Sequence, residues 1–398
     1  MLADRVVGRT TELAAIGFLL DAAAAGRGGL LALEGEAGVG KSCLARAAVR
    51  SATGRGLTVA CGRASSGPSV PFRAIAEALL GLERAGGLPA ELPSVGALAR
   101  VVPRWGAVRS EPSLVEVAEA MLRLLARMGD AVLLVLEDLH WADPETLAVV
   151  EYLGDNLAGQ PIAVLATVRP EPPSAAALIG RLAARRSAVH LGLATLAPHE
   201  VLALARACLE LDTFDALGAG AGAGALPAGV DELLERAEGL PLLVEDLLGA
   251  AARSGALCQD DAGTWRMVQP PDPYLPVRFA DTVSDRLATL DADAREVLGV
   301  AAILGRRFDD ALLGAITGLG EDAVLAALQA GYRTQLLTRA GTAFEFRHAL
   351  TRDVVLDALL PPVRARLSRA AADALETTAQ DGDCRRLVKA DPLTAPEN

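Results

Sequence analysis

Lysine is almost missing from this chain. Of its 38 basic residues 36 are arginine, and the two lysines are Lys41 and Lys389. The net charge is −12, which excludes a surface that binds nucleic acid through dispersed phosphate contacts, because such a surface needs clustered positive charge. Aromatic residues are scarce at 3%, while hydrophobic residues reach 52%. Ala, Leu and Val must therefore build the core, a composition that favours helices and buried parallel strands over β-sandwiches. The five cysteines, Cys43, Cys61, Cys208, Cys258 and Cys384, are odd in number, widely spaced and without a CxxC pair. That spacing argues against both a disulfide framework and a zinc site, and it fits a reducing compartment. No uninterrupted apolar run approaches the roughly 18 residues that span a bilayer. The opening MLADRVVGRT has no charged-then-apolar leader, so a cytoplasmic protein without a membrane segment is expected.

What is present divides by character. At 398 residues, and with about 150 residues per domain, two or three domains are expected. Between Leu30 and about Thr167, short apolar runs (LLALEG, LTVACG, AVLLVLED, IAVLATVRP) alternate with helical patterns (SCLARAAVRSA, FRAIAEALLGL, TLAVVEYLGDNL). Unbroken apolar strands separated by helices predict an α/β domain with a parallel sheet and helices on both faces, over residues 1–197. Residues 198–270 read as a helical domain from PHEVLALARACLEL and VDELLERAEGLPLLVEDLLGAAARS, interrupted by a Gly/Ala tract at 216–229 that predicts a flexible surface loop. Pro-rich QPPDPYLPVRF marks the next boundary. Residues 271–377 carry four helical patterns, then two β-prone runs around Gly341-Thr342 that predict a hairpin, and a last helix RARLSRAAADALE. Helices followed by a small hairpin suggest a winged helix. Residues 378–398 are expected to be a disordered tail.

The isolation of Lys41 points to its use. Gly35-Glu36-Ala37-Gly38-Val39-Gly40-Lys41-Ser42 matches GxxxxGK[ST] and sits between an apolar strand and a helical pattern that continues through Cys43. Glycines let backbone N–H groups converge on phosphate oxygens, the helix N-terminus adds partial positive charge, Lys41 supplies a point charge and Ser42 can ligate magnesium. Such a loop needs an acidic partner on a neighbouring strand, and the run from Val132 to Leu136 ends in Glu137-Asp138. In the usual division Glu137 holds the metal and Asp138 is the base that orients water. Glu137 is one methylene longer than the usual metal ligand, which leaves room for Asp138 to take the metal. Asp143-Pro144 reads as a helix N-cap and first turn. His140 and Trp141 read either as cleft-lining or as packed residues. Arg169, at the end of the run after the acidic one, is a candidate for reaching a γ-phosphate.

With VVGRTTEL at 6–13, GEAGVGKS, LEDLHWADPET, LATVRPE, AEGLPLLVEDLL at 237–248, LGRRF and FRHAL at 346–350, the chain resembles the STAND class of signalling P-loop ATPases. It closely resembles the ATPase region of large ATP-binding LuxR-type transcriptional regulators, over about residues 5–375. The resemblance implies ATP or ADP with Mg²⁺, bound by the sheet domain and a helical lid, slow hydrolysis to ADP and phosphate, and a protein partner or self-association in the ATP state. It also implies that Arg9 lies near adenine, that Pro241 packs near the base and that His348 touches the ADP phosphates at rest. Such regulators usually continue into helical repeats and a DNA-binding module, so a shortened member or a separate effector protein is expected. Two other readings compete. A transcription factor using its own winged helix is disfavoured because the candidate reading helix EDAVLAALQA opens with Glu321 and Asp322 and has no Arg or Lys. A ring-forming mechanoenzyme would need a strong base and an arginine from a neighbouring subunit.

Overall fold

The computed structural model describes residues 6–65, 70–89, 95–106, 112–171, 173–210, 226–260, 263–268, 277–340 and 343–380. The chain divides into two compact units, Met1–Ala207 and Cys208–Asn398. The tract at 216–229 lies mostly outside the described residues, as do the Gly341-Thr342 turn and positions 381–398 of the expected tail.

The first unit is built on five parallel strands: β1 (Gly29–Glu34), β2 (Thr58–Arg63), β3 (Val132–Glu137), β4 (Ile162–Val168) and β5 (Val189–Gly192), in the order β2-β3-β4-β1-β5. Side chains alternate across a strand, so even and odd positions face opposite layers. On one face Leu30, Ala32, Leu134, Leu136, Val164 and Ala166 share a core with Ile75, Leu79, Met121, Leu125, Leu153 and Ile179. These come from α3 (Arg73–Arg84), α5 (Leu114–Ala126), α6 (Pro144–Asn156) and α7 (Pro173–Ala184). The opposite positions Leu31, Leu33, Leu133, Val135 and Leu165 are equally buried, and α1 (Thr10–Ala24) and α2 (Lys41–Gly54) pack on the strands. A sheet covered on both faces explains why the central strands read as continuous apolar runs. Between α3 and α5 lies the short α4 (Val95–Leu98), and α8 (Pro198–Cys208) closes the unit.

Two close approaches set the carboxyl end of the sheet. A Cβ on Gly62 would lie 1.8 Å from the Ala74 carbonyl oxygen, so only glycine lets α3 sit this near β2. Asp143 caps α6, accepting from the Thr146 N–H at 2.7 Å and its hydroxyl at 2.7 Å. Its Oδ1 also accepts the Phe72 N–H at 2.9 Å, fixing Phe72 in a left-handed conformation (φ 60°) at the start of α3.

In the second unit the helical pattern at 230–254 is broken in two: α9 (Val230–Glu235) and α10 (Pro241–Ser254). Glu238 and Gly239 take positive φ and Pro241 occupies the first turn of α10, so the chain cannot continue as one helix. A short hairpin, β6 (Leu257–Gln259) and β7 (Trp265–Met267), follows. Then come α11 (Val277–Ala288), α12 (Ala292–Leu304), α13 (Asp310–Thr317), α14 (Glu321–Arg333), the antiparallel pair β8 (Leu337–Ala340) and β9 (Ala343–Phe346), α15 (Ala349–Asp357) and α16 (Pro361–Gln380). Val297, Leu298, Leu328, Leu337, Phe346 and Val355 belong to one core, and Arg307 bridges Glu345 in antiparallel fashion. Among the described residues no single helix is long and apolar enough to cross a membrane.

Candidate functional site

In open α/β sheets ligands lie beyond the carboxyl ends of the strands, and the predicted residues of the first unit gather there. β1 ends at Glu34, the chain turns through Gly35–Gly40, and α2 begins at Lys41. Gly38 (φ 80°) and Gly40 (φ 107°) have the left-handed backbone that turns successive amides toward one point. At Gly35 a Cβ would lie 2.8 Å from Val39 Cγ1. Gly40 precedes the helix without a capping side chain, and a helix N-terminus of this kind suits an anion. Glu36, Ala37, Ser42 and Cys43 are half-buried around this turn.

Lys41 is folded into the loop: its Nζ donates to the Gly35 and Glu36 carbonyls at 2.7 Å each. Burial, followed by the charge of Arg169, pulls the ammonium down to about 8, against the opposing charges of Asp138, Glu36 and Glu34. Asp138 and Arg169 are thus each within electrostatic reach of Lys41. Asp138 sits just past β3 in a left-handed conformation (φ 58°), and its N–H donates to the buried Thr167 hydroxyl at 2.9 Å. Glu137 instead turns toward β2, where Arg63 Nη2 lies 2.9 Å from its Oε2 and Arg63 Nε lies 3.6 Å from Asp138 Oδ2. Arg63 and Glu137 are partners in the parallel register. Sequence alone does not single out Arg63, because that register depends on strand order.

His140 lies in a single 3-10 turn, Leu139–Trp141, directly after Asp138. The residue is 3% exposed, and neither ring nitrogen has a hydrogen-bond partner among the described residues. Burial, then the charges of Arg169 and Lys41, pulls its imidazolium down to about 3, so the ring is neutral at physiological pH. Trp141 packs against it, ring centroids 5.1 Å apart, and is itself 45% exposed.

Arg9 is buried and holds the phosphate loop from outside. Its Nη2 donates to the Val39 carbonyl at 3.0 Å and the Ala194 carbonyl at 2.7 Å, and its Nη1 pairs with Glu12 at 3.2 Å. Pro241 and His348 belong to the second unit. Pro241 opens α10, and His348 Nδ1 lies 3.4 Å from Glu238 Oε2. Glu238 Oε1 accepts from the Ala349 N–H at 2.9 Å and from Arg306 at 2.8 Å. A separate groove of about 440 Å³ lined by Phe18, Leu19, Gly28, Leu157 and Val189 lies at the amino ends of the strands, away from the phosphate loop.

The residues present fit a Mg²⁺-nucleotide on one point of geometry, a glycine turn at positive φ that leads into a helix start without a capping side chain at Lys41, with Asp138 at the end of the neighbouring acidic strand. Comparison with known proteins shows what the chain is similar to. Residues 5–165 match the AAA ATPase domain family. An uncharacterized protein of Rhizobium meliloti is 27% identical over 406 residues, covering 92% of this chain and 36% of its own length, so the chain spans about a third of that relative. Among solved structures, the Walker-type ATPase of Pyrococcus abyssi superposes with TM-score 0.56 at 14% identity, over 89% of this chain and 99% of that one. The ORC2 protein of Aeropyrum pernix, solved as ADPNP-ADP complexes, gives TM-score 0.51 at 16% identity over 95% of this chain and 96% of its own. The matched residues, the Gly35–Ser42 loop and the parallel sheet together make the first unit similar to the AAA ATPase domain, and the likeness to solved structures shows the P-loop ATPase fold.

Proposed function

We propose that the chain is a nucleotide-operated switch of the STAND kind, of the type found in transcriptional regulators, which binds ATP or ADP with Mg²⁺ and hydrolyses ATP slowly. The observation that carries this reading is the turn between β1 and α2, with Gly38 and Gly40 at positive φ and a helix that begins without a side-chain cap at Lys41. The loop amides and Lys41 bind the phosphates, and Arg169 adds positive charge toward the terminal one. Ser42 and Asp138 would hold Mg²⁺, with Glu137 beside them; the ion would neutralise charge building on the phosphate oxygens. Asp138 is the better placed of the two acids, since its charge acts on Lys41 and Arg63 holds it less closely, at 3.6 Å against 2.9 Å for Glu137. Glu137 then serves as the base that orients water, the reverse of the usual division. A base that must first leave an arginine supports slow turnover, well below the ~1–100 s⁻¹ of kinase-type transfer.

The remaining assignments follow the resemblance. Residues 198–270 are read as a helical lid, of which 198–207 belong to the first unit, and residues 271–377 as a winged helix, a reading supported by the bridge of Arg307 onto the β8–β9 pair. Its candidate reading helix α14 begins with Glu321 and Asp322, which disfavours direct DNA contact, so the output passes to a protein partner or a second copy. Pro241 and His348 are nucleotide contacts by resemblance alone. Arg9 acts through Val39, positioning the phosphate loop. Calorimetric titration of the purified chain with ADP and ATP, with and without Mg²⁺, tests the reading. Tight, Mg²⁺-dependent binding is expected, and no binding of either nucleotide would remove it.

A further inference from the structure

His140 stands at this end of the sheet without a task in the ATPase chemistry above. A neutral imidazole carries one donor and one acceptor, and buried polar groups are normally satisfied. Here the residue is 3% exposed and both ring nitrogens lack a partner among the described residues. An apolar ring of similar shape would fill the space without that desolvation cost. Packing alone therefore does not account for a histidine. Its position does. The 3-10 turn that bears it follows Asp138 and packs on β4 and α7, and the ring lies within electrostatic reach of Arg169 and Lys41. The unanswered N–H is thus carried on the turn that directly follows Asp138, at the end of the sheet where the phosphate loop lies. On the nucleotide-binding reading, the loop amides around Gly38 and Gly40 would hold the inner phosphates, and the group extending toward the acidic strand and Arg169 would be the outermost one.

We propose that His140 is a further nucleotide-contacting residue, whose ring N–H donates to the terminal phosphate of ATP and so distinguishes ATP from ADP. The inference rests on the nucleotide-binding reading. A hydrogen bond to a charged group corresponds to roughly ten- to a hundredfold in affinity, and ADP lacks the acceptor.

The test is calorimetric titration with ADP and with the β,γ-imido analogue of ATP, both with Mg²⁺, on the full chain and on His140→Phe and His140→Gln. The His140→Phe variant is expected to weaken the ATP analogue about tenfold or more while ADP stays within about twofold, and His140→Gln, which keeps an N–H donor, should recover most of the loss. A second measurement needs no variant to fold: in chain labelled with ¹⁵N-histidine, the ATP analogue but not ADP should shift one imidazole resonance. Wild-type binding of both nucleotides with the same ATP to ADP ratio in every variant, or without that resonance shift, overturns the role of His140 and leaves the ATPase reading intact. Failure of the wild-type chain to bind either nucleotide overturns both.

Discussion

Arg63 Nη2 lies 2.9 Å from Glu137 Oε2, so the acid at the end of β3 is engaged by a base at the end of the neighbouring strand. Arg63 is 53% exposed in its side chain, which places the pair in well-screened surroundings. Such pairs contribute about 0.2–1 kcal/mol. Arg63→Ala is therefore expected to lower the Mg²⁺ concentration needed for half-maximal nucleotide binding by about two- to fivefold, read by titration at fixed nucleotide. An unchanged or raised requirement would mean that Arg63 helps build the metal site instead of competing for its acids.

Lys41 has no substitute, since the other lysine is Lys389 and Lys41 alone is wrapped by the Gly35 and Glu36 carbonyls. Lys41→Ala should weaken ATP by about ten- to a hundredfold with the thermal midpoint of the nucleotide-free chain unchanged or raised, because a buried cation is removed. Intact affinity in a calorimetric titration would displace the site from this loop.

The two acids should separate in their metal dependence. Asp138→Asn is expected to raise the Mg²⁺ requirement more than Glu137→Gln does, and Glu137→Gln to slow turnover more than it weakens binding. Equal effects of both variants on Mg²⁺ would show that the carboxylates act as one unit and that the division of roles is wrong.

The phosphate loop and the acidic strand end are legible in sequence because both depend on residues close along the chain: glycine spacing, one lysine, an apolar run ending in carboxylates. The Asp143 cap is legible for the same reason. What the sequence hides is set by elements far apart. Arg63 meets Glu137 only because β2 lies beside β3, and Asp143 reaches the Phe72 amide across 71 positions. Strand β5 escapes notice because Val189–Gly192 is short and lies at the sheet edge, with no buried apolar run to announce it. The break at Glu238–Leu240 is masked by the helical periodicity on either side, although Gly239-Leu240-Pro241 carries the punctuation for it.

Asp143 offers a stability test independent of nucleotide. It is 6% exposed and satisfies three donors, two on Thr146 and one on Phe72. Asp143→Ala removes a helix cap and leaves a buried amide without its acceptor, a loss of about 2–4 kcal/mol. The first unit's unfolding midpoint should fall clearly, while Asp143→Asn, which keeps a capping oxygen, should recover part of it. A change of less than about 0.5 kcal/mol would mean that α3 and α6 are held by packing alone.

Glu238 gives the second unit a pH dependence whose sign follows from its neighbours. Burial alone would raise its carboxyl, but hydrogen bonding to His348, the Ala349 N–H and the charge of Arg306 outweigh that and hold it below its ordinary 4.5. A carboxylate whose folded pKa is depressed stabilises the fold fully above its unfolded value, and that contribution is lost as pH falls through the folded one. Thermal unfolding of the wild-type second-unit transition is therefore expected to weaken on acidification below about pH 4.5, as the unfolded chain takes up the proton first. Glu238→Gln should cost about 1.5–3 kcal/mol at neutral pH, the worth of hydrogen bonds to a charged group, and should flatten this acid limb. If the variant keeps the wild-type acid slope, the proton is taken up elsewhere, and Glu238 is then a link between α9–α10, the Arg306 segment and the start of α15 that holds through geometry and not through its charge.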